Sequence, residues 1–149
     1  MPKYLETTVD KFVFKVATDR VYNPTGMWAL ATGNIVRVGL SDFLQQRSGD
    51  VAFAEIKPLG TLLKVEDEFA SIETIKVNIA LPSPVTGKIV RVNPLMESAP
   101  EKINQDPYGE GWLCEIEVSD WEADRAALLD AAAYFTRMKG EAEEEAKKL

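Results

Sequence analysis

Thr32-Gly33-Asn34-Ile35-Val36-Arg37-Val38-Gly39 returns later in the chain as Thr86-Gly87-Lys88-Ile89-Val90-Arg91-Val92-Asn93, with six of the eight positions identical. Each copy joins a Gly-containing turn to a run with the β-branched bias of a strand. The pair predicts a mainly β fold with two related halves, each carrying a hairpin turn, at Gly33 and at Gly87. Chance is the competing account, because turns and strands draw on a short menu of residues.

Outward from the first copy, Met27 to Ala31 reads as the strand paired with Ile35 to Val38, and Asn23-Pro24-Thr25-Gly26 marks the turn before it. Lys11 to Ala17 predicts a first strand with Phe12, Phe14 and Val16 on one face. Ser41-Asp42 caps a short helix over Asp42 to Arg47 that ends at Ser48-Gly49. Short strands follow at Val51 to Ile56, Thr61 to Lys64, Glu68 to Glu73, Val77 to Leu81 and Lys88 to Val92, punctuated by Pro58, Gly60, Pro82, Pro84 and Gly87. That spacing predicts a sandwich or barrel.

The Pro- and Gly-rich stretch Asn93 to Gly111 predicts a loop with a helical turn at Ala99 to Ile103, and Trp112 to Val118 a last strand. Ser119-Asp120-Trp121-Glu122 has the form of a capping box opening a C-terminal helix, whose Leu128, Ala132 and Phe135, beside Leu129 and Ala133, would pack on the sheets. The charged run 140–149 reads as frayed or as a solvated extension.

A chain of 149 residues, 46% apolar and 28% charged, fits one folded domain. A net charge of −7 and a pI near 4.7 argue against nucleic acid as partner and for proteins with basic docking faces. No apolar run reaches the roughly 20 residues of a membrane span, and the start lacks the pattern of a secretory signal, so a cytoplasmic location away from membranes is expected. The chain has no histidine, which disfavours most proton-transfer mechanisms, and its single Cys114 removes both an internal disulfide and a His/Cys zinc site. Cys114 reads as a buried strand residue. Glu55, Glu66, Asp67, Glu68 and Glu73 could supply paired carboxylates, but no spacing singles out a pair, and catalysis is not expected.

Lys76 stands between apolar neighbours in Phe69-Ala70-Ser71-Ile72-Glu73-Thr74-Ile75-Lys76-Val77-Asn78-Ile79-Ala80, a strand pair with almost no conventional turn signal. By itself it is an ordinary surface lysine. The segment from Ser71 to Val77, followed by Ser83 to Asn93, resembles the lipoyl-lysine motif of the glycine cleavage system H proteins. Val38-Gly39-Leu40-Ser41-Asp42-Phe43, Gly49-Asp50-Val51 and Ile103 to Leu113 are similar to other parts of that family, so the resemblance spans roughly residues 20 to 135. It implies a flattened, pseudo-symmetric β-sandwich of the lipoyl/biotinyl-type hybrid fold, with short helices and a C-terminal helix. It divides the chain into an N-terminal extension (1–20), the lipoyl domain (21–138) and a charged tail (139–149).

The resemblance further implies a lipoate amide-linked to Lys76, with Glu73 aiding recognition by the attaching enzyme, although a solubilising charge explains Glu73 equally well. Biotin carriers of related fold usually place methionine on both sides of the lysine, where this chain has Ile75 and Val77. Gly87 reads structurally, as the second hairpin turn. Trp28, Tyr108 and Trp112 are candidates to line a resting groove for the arm, against the plainer reading of core packing.

The family pattern departs at Gly26, which stands where a histidine is expected between Tyr22 and Trp28, and at Phe43 to Asp50. Val9 to Phe14 and Asp42 to Arg47 resemble instead the H-protein-like lipoate-binding proteins of a heterodisulfide-reductase-like sulfur-oxidising system. The expectation is therefore a non-catalytic carrier of a sulfur-containing intermediate, whose partners are a lipoylating enzyme and the heterodisulfide-reductase-like complex. The alternative is an H protein carrying an aminomethyl group among the glycine decarboxylase enzymes. Dihydrolipoamide dehydrogenase is a further expected partner in either case.

Overall fold

A computed structural model of the chain describes residues 3–148. Its elements run β1 (Tyr4–Val9), β2 (Phe12–Ala17), β3 (Val21–Tyr22), β4 (Met27–Thr32), β5 (Ile35–Leu40), α1 (Asp42–Ser48), β6 (Val51–Ile56), β7 (Leu62–Leu63), β8 (Glu68–Thr74), β9 (Asn78–Pro82), β10 (Gly87–Val92), α2 (Leu95–Ser98), α3 (Lys102–Gln105), β11 (Cys114–Val118), α4 (Trp121–Ala126) and α5 (Ala131–Lys147).

The six-stranded sheet β3-β4-β5-β11-β10-β7 lies against the three-stranded sheet β6-β8-β9, and both bury apolar residues in one shared core. Met27, Ala29, Val36, Val38, Ile89 and Ile116 come from the large sheet, and Val51, Phe69, Ile72 and Leu81 from the small one. This is the expected β-sandwich. A second core holds Phe14, Trp28, Phe43, Tyr134 and Met138, so β4 buries residues of both parities, Met27 and Ala29 in one core and Trp28 in the other. A strand covered on both faces loses the alternation of a half-solvated one, which is why Met27 to Ala31 is nearly continuously apolar.

The sequence repeat has a geometric counterpart. β5 and β10 flank β11 on either side, and Glu115 of β11 pairs in register with both Arg37 and Arg91. The two guanidinium groups reach its carboxylate at 3.0 and 3.6 Å and lie 4.2 and 5.2 Å from the ring centre of Trp112. Gly33, with φ 63°, makes the tight β4–β5 hairpin. Gly87 does not repeat that role. It is the first residue of β10, paired with Val118 and Leu63, and a Cβ there would collide with the Glu117 carbonyl, so close backbone approach and not a turn requires glycine.

Four expectations about helices change. Pro100 separates α2 from α3 instead of lying inside one turn, since the residue before proline is driven from helical angles. Asp120, not Ser119, caps α4, accepting from the Ala123 N–H at 3.2 Å. The helix then breaks, because Leu129 exchanges backbone hydrogen bonds of 2.8 Å with Tyr22, and Asp130 caps a new helix. The break resets the phase. Ala131, Tyr134, Met138 and Ala142 are the buried residues of α5, whereas Ala132 and Ala133 are exposed. Residues 140–147 continue that helix with Ala142 buried and Glu145 paired to Arg47 at 3.3 Å, so the run is not a frayed tail; Leu149 lies outside the described residues.

The N-terminal stretch holds a strand beyond the expected one. β1 and β2 form a hairpin through Asp10, whose φ is 59°, and the hairpin packs on α5 and α1. The Lys15 N–H donates to Asp42 at 2.9 Å, the Gln46 amide donates to the Val13 carbonyl at 2.9 Å, and the Tyr108 hydroxyl donates to the Lys15 carbonyl at 2.7 Å.

Candidate functional site

Lys76 occupies the tip of the β8–β9 hairpin, in a loop whose two central residues are Ile75 and Lys76. Two-residue hairpin loops usually take glycine or asparagine, because their central residues need positive φ; neither Ile75 nor Lys76 adopts it. Thr74 provides the substitute. Its hydroxyl accepts from the N–H groups of Lys76 and Val77 at 3.1 and 3.0 Å and lies 3.2 Å from the Val77 carbonyl, while its own N–H donates to that carbonyl at 2.8 Å. A serine or threonine just before a turn is a local signal of this kind, legible in the sequence at Thr74.

The loop is therefore locked while its side chains face out. Ile75 is 83% exposed, and Val77 and Phe53 nearby are exposed as well. Neither Lys76 nor Glu73 takes part in an ion pair among the described residues. Glu73 is exposed and stands in register with Phe53 on one side and Asn78 on the other.

Beneath the tip, the stem of Lys76 lies over Gly49, where a Cβ would meet its Cδ at 3.4 Å and its Cε at 3.6 Å. Gly49 has φ 91°, so it is the backbone conformation that selects glycine at the end of α1, and a Cβ there would only touch the lysine stem at ordinary contact distance. Asn104 pins this platform: its amide donates to the Gly49 carbonyl at 2.9 Å and to Gln45 at 3.0 Å, and its oxygen accepts from the Val51 N–H at 2.9 Å. Only the folded chain brings Asn104 to residues so far from it in sequence.

Lys76 also forms part of the wall of a groove of about 230 Å³ whose apolar lining includes Phe12, Phe14 and Phe43. The three aromatics weighed for such a groove are elsewhere, in the packing that is their plainer reading. Trp28 is fully buried with its indole N–H donated to the Pro107 carbonyl at 3.0 Å, Tyr108 bonds Lys15, and Trp112 lies under the two arginines. They pack the scaffold, Trp28 and Tyr108 with their polar tips on fixed partners and Trp112 with its ring against Arg37 and Arg91. Cys114 is buried, and burial pushes its thiol pKa far up, which makes it inert.

Gly26 has φ 106°, and a Cβ would lie 2.9 Å from the Tyr134 hydroxyl and 3.0 Å from the Ser41 hydroxyl. Those two hydroxyls bond each other at 2.9 Å. The volume a larger side chain would enter is filled from α5. Of the acidic residues, Asp67 caps its own turn, accepting from the Lys64 N–H at 2.8 Å, and no cluster with metal-ligand composition occurs among the described residues.

A pseudo-symmetric sandwich displaying a lysine on a braced hairpin tip has the form of the lipoyl/biotinyl-type fold. The family model for the glycine cleavage H-protein matches residues 20–141, and the chain belongs to that family. The glycine cleavage system H protein of Symbiobacterium thermophilum is 44% identical over 124 residues, covering 82% of this chain and 96% of the relative. That of Chlorobium limicola is 48% identical over 105 residues, 70% of this chain and 81% of the relative. The crystal structure of a glycine cleavage system H protein from Mycobacterium marinum matches with a TM-score of 0.72 at 28% identity, covering 80% of this chain and 96% of that one. None of these names refers to a sulfur-oxidising system, and together they favour the glycine-cleavage expectation over the sulfur-carrier one.

Proposed function

We propose that the chain is a non-catalytic lipoyl carrier of the glycine cleavage system, with lipoate amide-linked to Lys76 and an aminomethyl group as cargo. One observation carries it: Lys76 is an exposed lysine, free of ion pairs among the described residues, on a loop held rigid by Thr74. The lipoylating enzyme would present lipoate as an activated acyl derivative; Nζ attacks the acyl carbon, gives up a proton and expels the activating group. The lipoyl group supplies a dithiolane that opens to a dithiol on reduction.

The residues present fit that group. Lysine is the side chain that offers both an acylable amine and a long stem, and the stem here rests on Gly49 without obstruction. Exposed Ile75, Val77 and Phe53 offer apolar contact to docking enzymes, and Glu73 beside them serves recognition by the attaching enzyme. A rigid base with a mobile tip lets one arm serve several active sites by raising effective concentration. The partners are then the lipoylating enzyme, the glycine decarboxylase components and dihydrolipoamide dehydrogenase.

Intact-mass measurement after incubation with a lipoylating enzyme, its activating co-substrate and lipoate tests the attachment. The wild type gains one lipoyl mass and Lys76→Ala gains none; a modified alanine variant, or an unmodified wild type, sinks the reading. Supplying the lipoylated chain to purified glycine decarboxylase components then tests the pathway, and failure to support glycine–bicarbonate exchange would rule out the aminomethyl cargo.

A further inference from the structure

The β1–β2 hairpin lies outside the family-matched region 20–141, and its two edges differ. The Thr18 N–H donates to the Lys3 carbonyl at 2.9 Å, which marks the hydrogen-bonded phase of the ladder. Hydrogen-bonded and non-hydrogen-bonded pairs alternate between antiparallel strands. The backbone groups of Tyr4, Glu6 and Thr8 on β1, and of Val13, Lys15 and Ala17 on β2, therefore point away from the hairpin. On β2, side chains from elsewhere in the fold meet them. Gln46 donates to the Val13 carbonyl, Tyr108 and Tyr22 donate to the Lys15 and Ala17 carbonyls, and the Lys15 N–H donates to Asp42. On β1, no protein group meets the outward N–H and carbonyl groups among the described residues.

Exposed edges are ordinarily blunted by lysine, proline or a bulge. Leu5-Glu6-Thr7-Thr8-Val9 has none of these and holds an unbroken register with β2. We infer that β1 docks on the β1 of a second copy of this chain, the two strands running antiparallel about a two-fold axis at Thr7, so that four strands run β2-β1-β1-β2 across the pair. The inference is independent of what Lys76 carries.

The self-match of the segment selects that occupant. Outward-pointing residues must lie opposite outward-pointing residues, which leaves registers centred on Leu5, Glu6 or Thr7. Centring on Glu6 sets two like charges directly opposite, which is destabilising. Centring on Leu5 gives a single apolar pair and sets Lys3 against Thr7. Centring on Thr7 sets Leu5 against Val9 on both sides of the axis, Thr7 against Thr7 and Glu6 against Thr8, so that apolar meets apolar and hydroxyl meets hydroxyl. Each Glu6–Thr8 pair then exchanges both of its main-chain hydrogen bonds. Such an interface is isologous and closes on itself. Charge permits the approach: the hairpin carries Lys3, Lys11 and Lys15 against Glu6 and Asp10, so this edge escapes the net −7 of the chain. A paired carrier presents two attachment lysines on one particle, which raises effective concentration at a partner with more than one active site.

Sedimentation equilibrium of the full chain tests the pairing. The mass should be 16.5 kDa when dilute and move toward twice that value as concentration rises. Hydrogen exchange at the Glu6 and Thr8 amides should slow severalfold in the associated form. Thr8→Pro removes an N–H that the hairpin does not use, so it should hold the mass at one chain with the hairpin intact by NMR. Thr7→Cys places two thiols opposite each other at a non-hydrogen-bonded pair, with Cα atoms about 4.5 Å apart and within disulfide reach. Mild oxidation should convert it to a covalent dimer, whereas Thr8→Cys, opposite Glu6, should crosslink far less; Cys114 is buried in both. Leu59→Glu and Leu62→Glu, at exposed apolar positions elsewhere, should leave the association unchanged. A one-chain mass up to millimolar concentration overturns the inference, as does growth past two chains, a dimer that survives Thr8→Pro, or equal crosslinking by the two cysteine variants. Protection of Glu6 and Thr8 at one-chain mass, seen only when a lipoylating enzyme is added, overturns the second copy as occupant and gives the edge to that enzyme.

Discussion

Thr74 does for the hairpin tip what glycine does elsewhere. With the N–H groups of Lys76 and Val77 bound to one hydroxyl, Ile75 and Lys76 turn the chain without positive φ. Thr74→Val keeps shape and removes those bonds. It should cost about 1 kcal/mol in urea unfolding and slow lipoylation of Lys76 severalfold at unchanged fold, read by circular dichroism and time-resolved intact mass. A lipoylation rate equal to wild type would mean that the tip need not be rigid. Gly26 shows the opposite logic at the same scale: its neighbours Tyr134 and Ser41 leave no room for a side chain.

At the scale of elements, α5 matters more than its charged sequence promises. Its buried stripe of Ala131, Tyr134, Met138 and Ala142 supports the second core, and through it the β1–β2 hairpin and α1. Met138 is fully buried there. Met138→Ala should cost about 2–5 kcal/mol from lost transfer energy and the residual cavity, seen as a lowered Tm at about 2–4 °C per kcal/mol for a chain of this size. A drop under 1 kcal/mol would show that the second core is not coupled to the rest. The helix break at Leu129 explains why a single helix from Ser119 was expected with its apolar face one residue out of phase. Caps and periodicity are local, whereas the Tyr22–Leu129 pairing that ends α4 is not.

For the whole molecule, burial of phenols sets a stability limit in alkali. Desolvation raises the pKa of Tyr22, Tyr134 and Tyr108, the last pushed up to about 12. A raised folded-state pKa means that the unfolded chain releases these protons first, at about pH 10. Their stabilising contribution is therefore complete below pH 10 and is lost as pH rises toward 12 and beyond. The urea midpoint should fall steeply over that interval, with tyrosinate absorbance from these three rings appearing together with unfolding. Their ionisation ahead of the loss of secondary structure would contradict it.

Read as sequence alone, the chain determines much of this architecture through local chemistry. Turn residues and short apolar runs place β5, α1, β6 and β8 within a residue or two, and the repeat anticipates the paired strands that flank β11. The hairpin that carries Lys76 is equally legible, because its segment is contiguous. What the tertiary structure decides are relations between distant segments. Gly87 is a close-approach glycine only because β11 passes over it, and Trp28, Tyr108 and Trp112 are scaffold only because their partners close on them. Asn104 reaches Gly49 from another element, and the groove beside Lys76 joins the two ends of the chain. Periodicity and turn chemistry act over a few residues, but a cavity exists only where separate surfaces meet, and which surfaces meet is settled by packing.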